Sequence, residues 1–169
     1  MSAETSHPPL DPEAQAWIEK FATAWEAQQG KRMDGRVLAL LMITQEPHLA
    51  ASDIARLLTA STGAVSTSTR ALAEVGFITR VTLPGDRRHY FRTEDDVWGA
   101  FLQGERNYLR RMLDVMDGGL ALAAGTHPRT RARLENGRRY MLWLGDYHRK
   151  MVEDWRAYRD SAFAEEEDG

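Results

Sequence analysis

SDIARLLTASTGAVSTSTRALAEVG, residues 52–76, holds two short apolar-periodic segments separated by a small polar turn. Ser52 can cap a helix from Asp53 to Leu58, in which Ile54, Leu57 and Leu58 fall on one face and Asp53 complements the positive N-terminal end. Thr59-Ala60-Ser61 supplies the turn. Ser61 or Thr62 can cap a second helix that runs through Val65 and Leu72 to about Val75, and Gly76 stands where helices often end on a left-handed residue. Two short helices joined in this way make a helix-turn-helix.

Outward on the C-terminal side, Phe77 to Thr82 and Arg88 to Arg92 have strand composition and flank the turn Leu83-Pro84-Gly85-Asp86-Arg87, which predicts a β-hairpin wing. On the N-terminal side, Arg36 to about Gln45 is almost continuously apolar through Val37, Leu38, Leu40, Leu41 and Ile43, as expected of a buried helix closed by Pro47. Before it, Asp11-Pro12-Glu13 predicts a helix start. Trp17, Ile18, Phe21, Ala24 and Trp25 then follow at three- and four-residue spacing to about Gly30. Those aromatics exceed what a small winged domain can cover, and point to a partner subunit. From Thr93 onward two long helical patterns follow, with Gly118-Gly119 expected to fray or bend the first. The predicted fold is therefore mainly α with a small β-wing, a winged helix-turn-helix with N- and C-terminal dimerisation helices. Its parts are a disordered leader over 1–10, an N-terminal helix over 11–30, the winged domain over 31–93, a helical arm over 94–160 and an acidic tail over 161–169.

The whole chain of 169 residues has a formal charge of −3, but residues 52–92 carry six arginines against Asp53, Glu74 and Asp86, a local +3. A basic element of this kind suits the dense row of phosphates on double-stranded DNA. The second helix of the motif offers Ser61, Thr62, Ser66, Thr67 and Ser68 as hydroxyl donors and Gly63 for close approach. Arg70 can address a guanine edge with two hydrogen bonds. Arg87 and Arg88 stand at the wing tip, where they can enter or flank the minor groove.

The order Ser52 to Leu58, Ser61 to Thr67, Arg70-Ala71-Leu72 and Gly76-Phe77-Ile78 before a basic wing resembles winged helices of the MarR superfamily. Gly35-Arg36-Val37, Gly63 to Thr67, and Pro84 to Phe91 followed by Trp98 are similar to its GbsR-like branch. The resemblance covers Gly35 to Trp98. It implies a cytoplasmic transcriptional regulator of a bacterium, a repressor acting as a homodimer with interlocked terminal helices. Each reading helix would enter a major groove of a palindromic operator. A small-molecule effector would relieve repression. Members of that branch are associated with choline metabolism, and a choline-like cation would need an aromatic cage. Trp17, Trp25, Trp98, Tyr108 and Trp143 are the candidates, although the same aromatics are the natural filling of a helical dimer core.

Other classes find little support. Without cysteine there are no disulfides or thiolate metal sites. The five histidines are scattered, and Asp146 and His148, two apart on a helix, point to different faces. No glycine loop for phosphate is present, so no enzyme, metal or cofactor is expected. The longest apolar block, Val37 to Ile43, falls far short of the roughly 20 residues that span a bilayer. The residues before Asp11 lack a signal-peptide pattern. An alternative is a winged helix used for protein contact without specific DNA binding.

Overall fold

The computed structural model describes residues 8–28, 30–123, 125 and 128–167. The chain divides into two compact units, one ending at Val97 and one starting at Trp98.

In the first unit, helix α1 (Pro12–Ala27) starts as its sequence predicts, with the Asp11 carboxylate accepting from the Ala14 amide and proline in the first turn. Helix α2 (Arg32–Ile43) is buried over Val37, Leu38, Ala39, Leu40 and Leu41, which makes it the centre of the unit, and α1 packs along it. Strand β1 (Leu49–Ala50) leads directly into α3 (Ala51–Leu57), followed by α4 (Thr62–Val75), strand β2 (Thr79–Val81) and strand β3 (Tyr90–Arg92). The three strands form an antiparallel sheet in the order β1-β3-β2, with Leu49 opposite Phe91 and Arg80 opposite the same residue on the other side. Ile18, Leu38, Leu40, Leu49, Ile54, Val65 and Leu72 fill the core.

Two details differ from expectation. Strand β1 was not anticipated, and α3 begins before Ser52: its N-cap is Ala50, with no side-chain cap. The cause is the sheet, because the Ala51 amide donates to the His89 carbonyl at 2.9 Å and ties the helix start to the wing.

The second unit is a helical arm, α5 (Val97–Leu122) and α6 (Pro128–Glu167). Helix α5 continues through Gly118 and Gly119 without a break. An added Cβ on Gly119 would lie 3.2 Å from Leu134, and one on Gly137 would lie 3.1 Å from the Met116 sulfur, so these glycines let the two helices approach closely. Helix α6 runs to Glu167, through most of the segment expected to be a tail. Its last two residues, and residues 1–7 of the expected leader, lie outside the described residues. Among the described residues no helix is long and apolar enough to cross a membrane.

Candidate nucleic-acid interface

Helix α4 is held at both ends by local chemistry. The Ser61 hydroxyl accepts from the Ala64 amide at 3.2 Å, and Gly76 closes the helix at φ 91°. With 100° between successive residues, Val65, Ser68, Thr69 and Leu72 turn inward. Thr62, Gly63, Ser66, Thr67 and Arg70 remain exposed. Ser68 is 2% exposed, so its assignment to the DNA-contacting set is overturned: it sits three residues after Val65 on the core face. Nothing lies within 4 Å of a Cβ built on Gly63, which leaves the start of the helix open. The amides of Thr62 and Gly63 belong to the first turn, where no carbonyl of the helix can take them, and such amides suit a phosphate. Ser61 lies at the exposed cap, its hydroxyl engaged with the Ala64 amide.

The turn before α4 is strained. Thr59 adopts φ 50°, a left-handed conformation that costs an L-residue roughly 1–2 kcal/mol. Its amide donates to the Arg56 carbonyl at 3.1 Å and that of Ala60 to the Ala55 carbonyl at 2.8 Å, the paired bonds of a Schellman termination.

The wing is organised by Asp86. Pro84 and Gly85, the latter at φ 80°, form a turn in which the Asp86 amide donates to the Leu83 carbonyl at 3.2 Å. One Asp86 oxygen accepts from the Arg88 amide at 2.8 Å, and the other from Arg88 Nη2 and the Tyr90 hydroxyl, both at 2.7 Å. The Arg88 guanidinium, then its amide, then the Tyr90 hydroxyl hold the Asp86 carboxyl well below the usual carboxylate range. The same contacts raise the Arg88 and Tyr90 groups above their ordinary values. Arg88 also sits 5.2 Å over the Tyr90 ring. The Arg88 guanidinium is therefore engaged within the wing, where it braces the hairpin. Arg87 is exposed at the tip.

Ion pairs decide which arginines of the basic stretch remain available. Arg56 pairs with Asp53, Arg88 with Asp86, and Arg92 with Glu94. Arg80 reaches His89 Nδ1 at 2.6 Å but no carboxylate. Arg70, Arg80 and Arg87 are thus the cations of this stretch without an acidic partner among the described residues.

The five aromatics proposed as a ligand cage are not gathered into one within either unit. Trp17 and Trp25 lie on α1 with Phe21 between them, at ring separations of 5.5 and 6.1 Å, and Trp25 packs edge-on against Phe77 at 5.1 Å. Trp98 and Tyr108 are ten residues apart on α5, about 15 Å along the axis, too far to box one small cation. Trp143 instead stacks on Tyr147 at 5.8 Å and lies 6.0 Å from Tyr140. Clefts within the units include one of about 440 Å³ with Leu41, Glu46, Arg92 and Asp95, one of about 310 Å³ with Leu10, Leu40, Ile43 and Leu57, and one of about 290 Å³ between α5 and α6 with Arg106, Arg110 and Arg149. None of these three is lined by any of the five aromatics. Helical spacing produced stacked ladders because rings three and four residues apart meet on one face.

Residues that sequence reasoning missed include Arg36. Its Nη2 donates to the Leu58 carbonyl at 2.7 Å, while its Nε stands 2.7 Å from a Glu19 oxygen. Partial burial pushes the Glu19 carboxyl up, but the hydrogen bond from Arg32 and the charge of Arg36 outweigh it and hold it below its ordinary value. No periodicity marks these partners, which are far apart in sequence.

A helix-turn-helix with a capped, hydroxyl-lined second helix and an arginine-tipped wing is a winged-helix DNA-binding protein. Residues 34–90 match the model of the MarR family, and residues 96–158 match that of MmpR5-like MarR family transcriptional regulators. The HTH-type transcriptional regulator MmpR5 of Mycobacterium tuberculosis is 31% identical over 155 residues, covering 85% of this chain and 92% of that protein. A crystal structure of a transcriptional regulator superposes with a TM-score of 0.74 at 25% identity, over 86% of this chain and 99% of the other. The Staphylococcus aureus MepR–DNA complex is matched more loosely, with a TM-score of 0.40 at 19% identity, over 77% of this chain and 91% of that one. The chain belongs to the MarR family of winged-helix transcriptional regulators.

Proposed function

We propose that the chain acts as a homodimer on a palindromic operator and represses transcription by occupying it. The observation that carries this reading is the division of α4 into a buried face and an exposed face of Gly63, Ser66, Thr67 and Arg70. That face combines small residues, hydroxyls and one unpaired guanidinium, as a major-groove reader requires. Arg87 at the wing tip adds a phosphate or minor-groove contact. The exposed rings of Tyr108, Tyr140, Trp143 and Tyr147 on the arm support a second subunit, since so much aromatic surface rarely stays in water. Dimer symmetry would place two reading helices about 34 Å apart, one turn of DNA.

Any effector must prefer one spacing of those helices over another to change operator affinity. The present aromatics favour a role in helix packing over a choline-like cage. The GbsR-like assignment rests on the residue pattern from Gly35 to Trp98 alone; the MmpR5-like match of residues 96–158 favours that branch for the arm. Promoter binding would put the protein to work in the cytoplasm of a bacterial cell.

The test is binding to the protein's own promoter region and to a scrambled duplex of equal length at two salt concentrations, with the mass in solution measured in parallel. Salt-sensitive binding by a dimer that prefers the promoter is expected. Equal binding to both duplexes refutes sequence-specific action, and absence of binding at low salt favours a protein-contact role.

A further inference from the structure

We propose that Arg36 is the positioning residue of the helix-turn-helix: a single guanidinium that clamps the strained turn before α4 to both α1 and α2. The inference rests on the DNA-binding reading of α4 and identifies what sets the pose of that helix.

Three observations carry it. The Leu58 carbonyl belongs to the C-cap of α3, one of the carbonyls that a helix end leaves without a backbone partner, and Arg36 Nη2 donates to it at 2.7 Å. The next residue, Thr59, is held at φ 50°, so the turn stands in a conformation that its own sequence does not favour. On its other edge the same guanidinium forms an ion pair with the Glu19 carboxylate of α1, its Nε 2.7 Å from one oxygen, and that carboxylate accepts a hydrogen bond from Arg32 at 2.7 Å. The Arg36 side chain is only 22% exposed, so its geometry is restricted by packing.

Gly35 adds rigidity to the clamp. A Cβ there would come within 2.8 Å of Ala22 Cα and of Trp25 Cβ, so α1 lies directly against α2 beside Arg36. A displacement of α1 is therefore passed through Glu19 and Arg36 to the Leu58 carbonyl, three residues before the Ser61 cap of α4. The guanidinium is hydrogen-bonded to the Leu58 carbonyl and ion-paired with Glu19 inside the protein, so a phosphate contact is not its task. Lysine, a compact point charge, cannot bridge both partners in this planar geometry.

The experiment compares the full-length protein with Arg36→Met, Arg36→Lys and Glu19→Gln. Amide hydrogen exchange is followed at Thr59 and Ala60, and affinity is measured for an operator and a scrambled duplex across a salt series. Loss of a charge-assisted hydrogen bond should raise exchange at these two amides about tenfold in Arg36→Met, with α6 unchanged. Operator affinity should fall about tenfold and scrambled-duplex affinity less than twofold, with the salt slope unaltered, since no phosphate contact is lost. Arg36→Lys should behave like Arg36→Met, and Glu19→Gln should lie between it and wild type.

Wild-type protection at Thr59 and Ala60 in Arg36→Met overturns the proposal. So does a salt slope reduced by about one, which would make Arg36 a phosphate contact. If Arg36→Met loses protection throughout α1 and α2, Glu19→Gln decides, because its exposed carboxylate can be neutralised without opening the core. Wild-type turn protection and affinity in that variant refute the clamp. Loosened turn amides in a protein whose wild type binds no duplex would leave the clamp standing and reject the DNA-binding reading instead.

Discussion

Replacing Gly35 by alanine should destabilise the protein although alanine is the better helix former. The added Cβ would stand 2.8 Å from Ala22 Cα, 2.8 Å from Trp25 Cβ and 3.1 Å from Trp25 Cγ, where carbon atoms prefer roughly 3.5–4.0 Å. Neither of the nearest atoms is the free end of a flexible side chain, so relief requires α1 to move away from α2. That movement disturbs Ile18 and Ala22, which are 1% and 0% exposed, and the contact of Trp25 with Phe77. Overpacking of this kind costs about 2–3 kcal/mol, against a propensity gain of about 1 kcal/mol for Gly→Ala. The net loss is about 1–2 kcal/mol, a Tm decrease of about 2–8 °C for a chain of this size. Gly118→Ala is the matched control: it lies within α5 with nothing inside 4 Å of an added Cβ, so only the propensity gain remains. Thermal unfolding at fixed protein concentration, needed because association shifts Tm, should move the two variants in opposite directions. An equal rise in Tm for both would refute the close approach of α1 to α2.

Arg87→Ala should weaken binding to all duplexes and lower the salt slope by about one per subunit, whereas Arg70→Ala should also cost about 1–3 kcal/mol of discrimination between sequences; equal losses on every duplex for both would deny Arg70 a base contact. If Arg80 and Arg87 each meet one phosphate in a dimer, the slope of log affinity against log salt should be about −4, and a slope nearer zero in a filter-binding series would reject that count. Ser68→Ala should leave operator affinity within about twofold, since Ser68 faces the core, and a larger loss would restore it to the interface. The depressed Asp86 carboxyl binds its proton less readily in the folded wing than in the unfolded chain, so its bracing is present at neutral pH, persists as pH falls through the ordinary carboxylate range, and is lost only below it. An NMR titration of the Asp86 side chain checks this, and a midpoint at the ordinary value would contradict the Arg88 and Tyr90 contacts.

What was legible in the sequence was what neighbouring residues decide. Ser61 and Gly76 bound α4 because a cap and a left-handed terminus act within four residues, and Val37 to Leu41 marked the buried helix because a continuous apolar run cannot face water. Strand β1 escaped notice because two residues carry no alternation; Leu49 and Ala50 become a strand only when Phe91 and Tyr90 arrive from forty residues away. The same pairing moved the start of α3 ahead of Ser52, since a sheet hydrogen bond to His89 replaces the side-chain cap. Ser68 was grouped with the contacting hydroxyls by residue type, although the helical period already separated it from Ser66 by 200°.

The basic stretch shows the same division at the level of charge. Counting gives +3 over residues 52–92 without saying which guanidiniums carry it. All three ion pairs that remove candidates, Arg56 with Asp53, Arg88 with Asp86 and Arg92 with Glu94, are close in sequence, but the first two depend on a helix turn and a hairpin turn that place donor and acceptor together. Arg87 and Arg88 are adjacent and chemically identical, yet the Pro84-Gly85 turn commits one to Asp86 and Tyr90 and leaves its neighbour exposed. In the proposed reading, bracing falls to Arg88 and contact to Arg87, two consecutive arginines divided by one aspartate. A hairpin tip must be held still before its side chain can find a groove, because a loosely held charge gives up much of its contact energy to ordering. Asp86→Asn should therefore reduce DNA affinity although it removes a negative charge from a DNA-facing wing, the reverse of what electrostatics alone would give. Increased affinity in that variant would show that net charge, and not the geometry of the tip, governs the contribution of the wing.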